Sequence, residues 1–208
     1  MSTPVSRLPL VCCVVLMLLA CLRVAADEIT PVEVVRNTSS RMLLALQSEH
    51  PRIAQDSARL NELVAEIVLP YFDFRRMSQW VLGRNWRTAT AQQRERFVEQ
   101  FRTLLLRTYG RALSEYAGEK VNYLPFDADS EADRVTVRTE IEQRGGAPIP
   151  VSYSMYLSAS GWKVYDVAIS GVSLVTNYRS SFGSIIRKDG MDGLIEQLDS
   201  RNGATADG

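Results

Sequence analysis

The chain is poor in the residue types that most enzymes rely on for chemistry. Among 208 residues there are three cysteines and one histidine. Cys12, Cys13 and Cys21 all fall near the start, so the rest of the chain has no thiol, disulfide or thiolate metal site. With His50 the only imidazole, an activated serine lacks its usual base. Lysine occurs only at Lys120, Lys163 and Lys188, none at a spacing that marks a serine–lysine pair. Charge of one sign is not in excess either, since 24 basic and 24 acidic residues cancel. That excludes a global field drawing the protein to nucleic acid or an anionic membrane. There is no Walker motif, no internal repeat and no Pro/Gly/Ser linker.

Long apolar runs are also scarce, with one exception. Leu8 to Leu22 is an apolar stretch of about fifteen residues, shorter than the ~20 needed to span a bilayer. With Arg7 before it and Val24-Ala25-Ala26 after it, the stretch reads as a secretory signal peptide over residues 1–26. Leu18-Leu19-Ala20-Cys21 offers a competing lipobox, for which Leu19 and Arg23 are poorly suited. Cleavage after Ala26 would leave a single domain over 27–199 and a flexible tail over 200–208. Loss of Arg7 and Arg23 brings the net charge to about −2. Nine arginines lie between Arg75 and Arg111, against Glu95 and Glu99, on what is expected to be a solvated helical surface.

The first half has helical spacing. Pro31 suits a helix start, and Val35, Met42 and Leu46 form a stripe expected to end near His50-Pro51. Asp56 is placed to cap a second helix carrying Leu60, Leu63, Val64, Ile67 and Val68. Thr90-Ala91-Gln92-Gln93 is a capping box opening the longest helix, which reaches to about Gly118. On it Phe97, Phe101, Leu104, Leu105 and Thr108 share an arc opposite Arg96, Arg107 and Arg111.

The period then changes to two. Val135, Val137, Thr139 and Ile141 alternate with Arg134, Thr136, Arg138 and Glu140, and Val151, Tyr153, Met155 and Leu157 alternate with Ser152, Ser154 and Tyr156. Gly145-Gly146-Ala147-Pro148 and Ser160-Gly161 are turns; Trp162 to Ile169 is a further strand and Val121 to Phe126 an edge strand. Tyr165, Val167 and Ile169 are expected on the inner face. Val172 to Lys188 returns to helical spacing, Gly190 is a stop, and Met191 to Leu198 makes a last short helix. The fold class is α+β: a helical N-terminal half, a curved antiparallel sheet of about four strands, then C-terminal helices.

Gly171-Val172-Ser173 raises the question of a nucleophilic serine. The elbow pattern needs glycine on both sides of the serine, and position 175 is Val. Ser173 is instead placed to cap the helix that follows, with Gly171 permitting the reversal out of the strand. Asp166, within an apolar strand, either faces solvent or pins helix to sheet. Asp127, Asp129, Glu131 and Asp133 alternate as a calcium loop does, but lack its glycine and its late acid, and read as a solvated loop.

Three blocks carry a family resemblance: Val81-Leu82-Gly83-Arg84-Asn85-Trp86-Arg87; Gln92 to Phe97 with Phe101 to Tyr109; and Gly161 to Val167 with Gly171 to Val175 and Asn177 to Phe182. In that order, over about residues 30 to 198, the chain resembles the MlaC family, whose members are also known as toluene-tolerance or ABC-transporter auxiliary proteins. Ser170 departs from the acidic residue the family usually has before the glycine. The resemblance implies a periplasmic phospholipid carrier that maintains outer-membrane lipid asymmetry, and a shuttle is most simply expected to be a monomer. It would exchange lipid with the outer-membrane lipoprotein MlaA and with the inner-membrane transporter through MlaD. It implies no enzymatic activity, no metal and no cofactor beyond the phospholipid cargo.

Two acyl chains of about sixteen carbons represent roughly 25 kcal/mol of burial at ~0.8 kcal/mol per methylene, so transit through water needs an apolar slot. The walls expected for it are Tyr153, Met155, Tyr165, Val167, Val175, Tyr178, Phe182 and Ile185, with Phe101, Leu105 and Tyr109 from the long helix. Two other classes compete. An enzyme would show turnover that depends on His50 or Asp166, and an adaptor module would have a filled core and no lipid cargo.

Overall fold

The first helix opens on a capping box. Glu33 N donates to Thr30 Oγ1 at 3.2 Å and Thr30 N donates to the Glu33 carboxylate at 2.8 Å. The backbone bond from Thr30 holds the Glu33 carboxyl below its ordinary range. The computed structural model describes residues 29–55, 57–115, 119–125, 132–143 and 145–204. Helix α1 (Pro31–Gln55) passes through Pro51 instead of ending there. Proline removes one amide donor, but continuing the helix lets Ile53 pack on the cluster that Met42 and Leu46 form with Leu60, Leu63, Val64 and Ile67 of α2 (Ser57–Ile67). Asp56, the expected cap of α2, lies outside the described residues.

A short 3-10 turn (Leu69–Tyr71) leads to α3 (Phe74–Leu82), capped by Asp73, whose Oδ1 accepts from Arg76 N at 2.8 Å. Helix α4 (Arg84–Thr88) follows. The Thr90 capping box forms as the sequence suggested: Gln93 N donates to Thr90 Oγ1 at 3.1 Å and Thr90 N to Gln93 Oε1 at 2.9 Å. It opens α5 (Ala91–Glu115). Phe97, Phe101, Leu104 and Leu105 are buried along it, while Thr108, expected on the same arc, is exposed and Tyr109 turns inward.

Five antiparallel strands form a meander in the order β1 (Val121–Tyr123), β2 (Arg134–Ile141), β3 (Ile149–Ser158), β4 (Gly161–Ile169) and β5 (Val172–Ser173). Phe126 and the acids Asp127, Asp129 and Glu131 lie outside the described residues. One face packs on the helices and the other is polar, which is what alternation in an antiparallel sheet produces. Between Ser154 and Met155 the β3–β4 register shifts. Ser154 pairs with Asp166 and Met155 with Val164, so Tyr165 is an extra, unpaired residue. This β-bulge reverses the phase of β4.

Ser173 caps α6 (Leu174–Ala204), its Oγ accepting from Thr176 N at 3.0 Å. Gly190 (φ 74, ψ −176) breaks the helical path and folds α6 into two arms. The first arm runs antiparallel to α5, with Phe182 beside Phe97 and Tyr178 beside Phe101. The second returns parallel to it, with Gln93 donating to Asp192 and Gln100 to Asp199. Helix continues through Ser200–Ala204, where a flexible tail was expected. Asn202 is buried there and donates to the backbone and side-chain oxygens of Gln100.

Candidate functional site

The Gly171–Ser173 turn is built for capping. Ser173 Oγ donates to Asp166 Oδ2 at 2.6 Å while accepting from Thr176 N. The other carboxylate oxygen of Asp166 accepts from Val175 N at 3.1 Å. Asp166 therefore satisfies a free amide at the start of α6 and anchors that helix to β4, the pinning role anticipated for it. The serine hydroxyl is engaged on both sides by these contacts.

Ten of the eleven expected wall residues gather in one apolar cluster between sheet and helices. Phe101, Leu105, Met155, Val167, Val175, Tyr178 and Phe182 are buried in it, and Tyr109, Tyr153 and Ile185 pack against it half-buried. Tyr165 does not join them. The bulge swings it to the outer face, where its ring meets Tyr156 at 6.1 Å and Trp80 at 5.7 Å. A period-two reading of β4 carries no mark of the bulge, so Tyr165 was placed on the wrong side.

The middle of this sandwich is closed, with Phe97, Phe101 and Met155 at 0 % exposure. Its margin is not. Tyr123, Val135, Ile141, Ile149 and Tyr153 pack on the cluster yet remain half-exposed. Helical backbone comes closest to the sheet at β4, from α3 and α6, and at β2, from α1. Arg36 of α1 lies over the Tyr123 ring, 4.2 Å from its centroid.

Polar groups inside the sandwich are few and neutral. The only buried polar side chains among the described residues are Ser78, Thr139 and Asn202. Thr139 Oγ1 donates to Val151 O at 3.3 Å. The Tyr153 hydroxyl lies beside Thr139, and burial raises its pKa. Burial first, then the neighbouring Tyr178, pushes Tyr109 up to about 12.

On the outer face Tyr156 Oη donates to Asp73 Oδ2 at 2.5 Å, and the Arg76 guanidinium stacks 3.8 Å from the centre of the Tyr156 ring. Neither this polar cluster nor the exposed Trp80 was legible in the alternation of β3, which gives only a face. Two surface clefts lie outside the apolar sandwich. One of about 640 Å³ is lined by Asp73 and Tyr156 of this cluster with Phe72, Phe74, Arg102 and Lys163, among others; one of about 910 Å³ runs along the second arm of α6 past Asp192 and Glu196. Neither is walled by the expected residues. Arg84, Arg87 and Arg179 are exposed, with the Arg179 guanidinium lying against Gly83.

Known proteins match this chain along most of its length. The profile of the family described as MlaC protein matches residues 36–200. The chain is 28% identical over 179 residues to the intermembrane phospholipid transport system binding protein MlaC of Haemophilus influenzae, covering 85% of this chain and 84% of that protein. It is 28% identical over 186 residues to toluene tolerance protein ttg2D of Pseudomonas putida, covering 89% and 85%. Among solved structures, the phospholipid-binding protein from Ralstonia solanacearum in complex with a phospholipid aligns with a TM-score of 0.78 at 33% identity. That alignment covers 83% of this chain and 97% of that one.

Proposed function

This chain belongs to the MlaC family, and from that premise we propose that it is a non-enzymatic phospholipid carrier of the periplasm, exported by a cleaved signal peptide. The observation that carries the reading is the apolar sandwich with a half-exposed margin: ten expected wall residues face one another across it, and no charged side chain is buried among the described residues. Acyl tails enter at the margin of β1, β2 and β3, parting half-buried side chains such as Tyr153 and Ile185, and leave the headgroup in water. The relative from Ralstonia solanacearum, of the same fold, was solved with a phospholipid bound. Lacking a nucleotide motif, the carrier depends on partners for loading and release. In this reading the partners are an MlaA-type outer-membrane lipoprotein and an MlaD-type transporter subunit, and the carrier meets them as a monomer.

Native mass spectrometry of protein purified from the periplasm without detergent tests the reading, and bound phospholipid is the expected result. Val167→Trp and Ile185→Trp, which fill the space between sheet and α6, should lower lipid occupancy severalfold while circular dichroism stays unchanged. Wild-type occupancy in both folded variants would mean that the lipid lies elsewhere, and wild-type protein free of lipid would favour the adaptor reading.

A further inference from the structure

The motif Gly83-Arg84-Asn85-Trp86-Arg87, part of one block that carries the family resemblance, supplies none of the walls expected for the apolar slot. It belongs to a basic stretch: residues 74–88 hold four arginines, Arg75, Arg76, Arg84 and Arg87, and no acid. Helix α3 turns Met77, Ser78, Val81 and Leu82 inward, which leaves Arg75, Gln79 and Trp80 exposed on its other side. Gly83 bends the chain between α3 and α4 (φ 53, ψ −120). There Arg179 of α6 approaches so closely that a Cβ on Gly83 would lie 2.9 Å from its Nη2. A fifth guanidinium thus joins the corner.

None of the five forms an ion pair among the described residues, whereas Arg59 is closed by Glu49 and Glu62, and Arg102 by Glu99. Arg75 and Arg76 rest on aromatic rings instead, 5.4 Å from the centre of Trp86 and 3.8 Å from that of Tyr156. Asp73 is already engaged, accepting from Arg76 N and from the Tyr156 hydroxyl. Cations gathered without counter-charge repel one another, and an anionic surface relieves that repulsion. Trp80 stands among them, 45% exposed with its ring over Tyr165, and tryptophan settles readily where a bilayer meets water. The five arginines line neither surface cleft. Standing outside a helical bend, they present charge to a plane of anions rather than to a peptide held in a groove.

We propose that the corner formed by Arg75, Arg76, Trp80, Arg84, Arg87 and Arg179 is a docking surface for an anionic bilayer. The chain as a whole is electrically balanced, so the attraction is local, confined to the face that the arginines occupy. Helix α3 lies along β4, while the half-exposed margin of the sandwich is at the β1 end of the sheet. Adsorption through the corner therefore leaves that margin uncovered. The inference goes beyond the carrier reading and stands on the surface alone.

Co-sedimentation with vesicles tests it. One set is phosphatidylcholine alone, the other an equal mixture of phosphatidylcholine and phosphatidylglycerol. Wild type should bind the mixed vesicles and not the neutral ones, and added salt should weaken the binding. The double variant Arg84→Gln/Arg87→Gln should bind more weakly by about fivefold for each arginine removed. The double variant Arg134→Gln/Arg138→Gln, which removes the same charge from exposed positions on β2, should bind as wild type does. Equal losses in the two variants would overturn the proposal, since overall charge and not the corner would then set the affinity. So would wild type that ignores the mixed vesicles, a result that would turn the corner toward an acidic protein surface instead. Vesicle binding by protein that native mass spectrometry finds free of lipid would sink the carrier reading and leave this proposal standing.

Discussion

Tyr153 and Tyr156 stand three residues apart on β3, and the pleat sends them to opposite worlds. Tyr153 packs against the apolar cluster, and burial raises its pKa. Tyr156 also titrates high, but chiefly because its hydroxyl donates to the Asp73 carboxylate. The inner face thus holds its hydroxyls by enclosure in hydrocarbon, the outer face by partnership with charge. The same direction of shift has two causes, and only the inner one describes a place where a lipid tail could lie.

The largest expected contrast between the faces is in stability. Phe101 is fully buried against Phe97, Tyr178 and Phe182, so Phe101→Ala should cost about 3–5 kcal/mol by denaturant unfolding. Trp80, of similar bulk but 45% exposed over Tyr165, should cost under about 1.5 kcal/mol on truncation to Ala, chiefly lost ring contact. Equal costs would mean that the outer cluster is as much a core as the inner one.

A smaller effect separates the two causes of raised tyrosine pKa. Each phenol ionises later in the folded chain than in the unfolded one. Their contribution to stability is therefore complete below the ordinary value of 10 and is lost as pH rises through the folded value, about 12 for Tyr109. Ultraviolet titration should show Asp73→Asn returning one tyrosine, Tyr156, toward the ordinary range while Tyr109 remains near 12. Tyr109→Phe should make the alkaline loss of stability shallower. A Tyr109 that follows the Asp73 substitution would mean the two faces are electrostatically joined.

What could be read from sequence follows from which interactions are local. The Thr90–Gln93 box and the Ser173 cap close within three residues, and the alternation of β2 and β3 is written in each strand separately. Pro51 within α1 and the helix beyond Asp199 were misjudged because their support comes from afar, from α2 for Ile53 and from Gln100 for Asn202. Tyr165 was lost for a related reason. A bulge is a relation between two strands, and the run Val164 to Val167 taken alone does not reveal which residue will be left unpaired. The cluster of Asp73, Arg76, Tyr156 and Tyr165 joins the start of α3 to β3 and β4, some eighty to ninety residues away and beyond the reach of any spacing rule.

The smallest effect concerns the turn that ends β4, on which the inward placement of Val167 and Ile169 depends. Ser170 (φ 50) and Gly171 (φ 80) form the two-residue loop to β5, both in the left-handed region. Glycine takes that conformation freely, whereas an L-residue is strained there unless, like Asn or Asp, its short polar side chain supports it locally. Ser170→Asn should stabilise the protein by about 0.5–1 kcal/mol, a rise in Tm of about 2 °C for a chain of this size. The Ser170 amide donates to Pro150 O at 2.9 Å, a backbone bond that the substitution retains, so the gain would come from the turn's own geometry. A fall in Tm would show that the serine hydroxyl, not the backbone, sets the preference at this corner, and that the register of β4 depends on it.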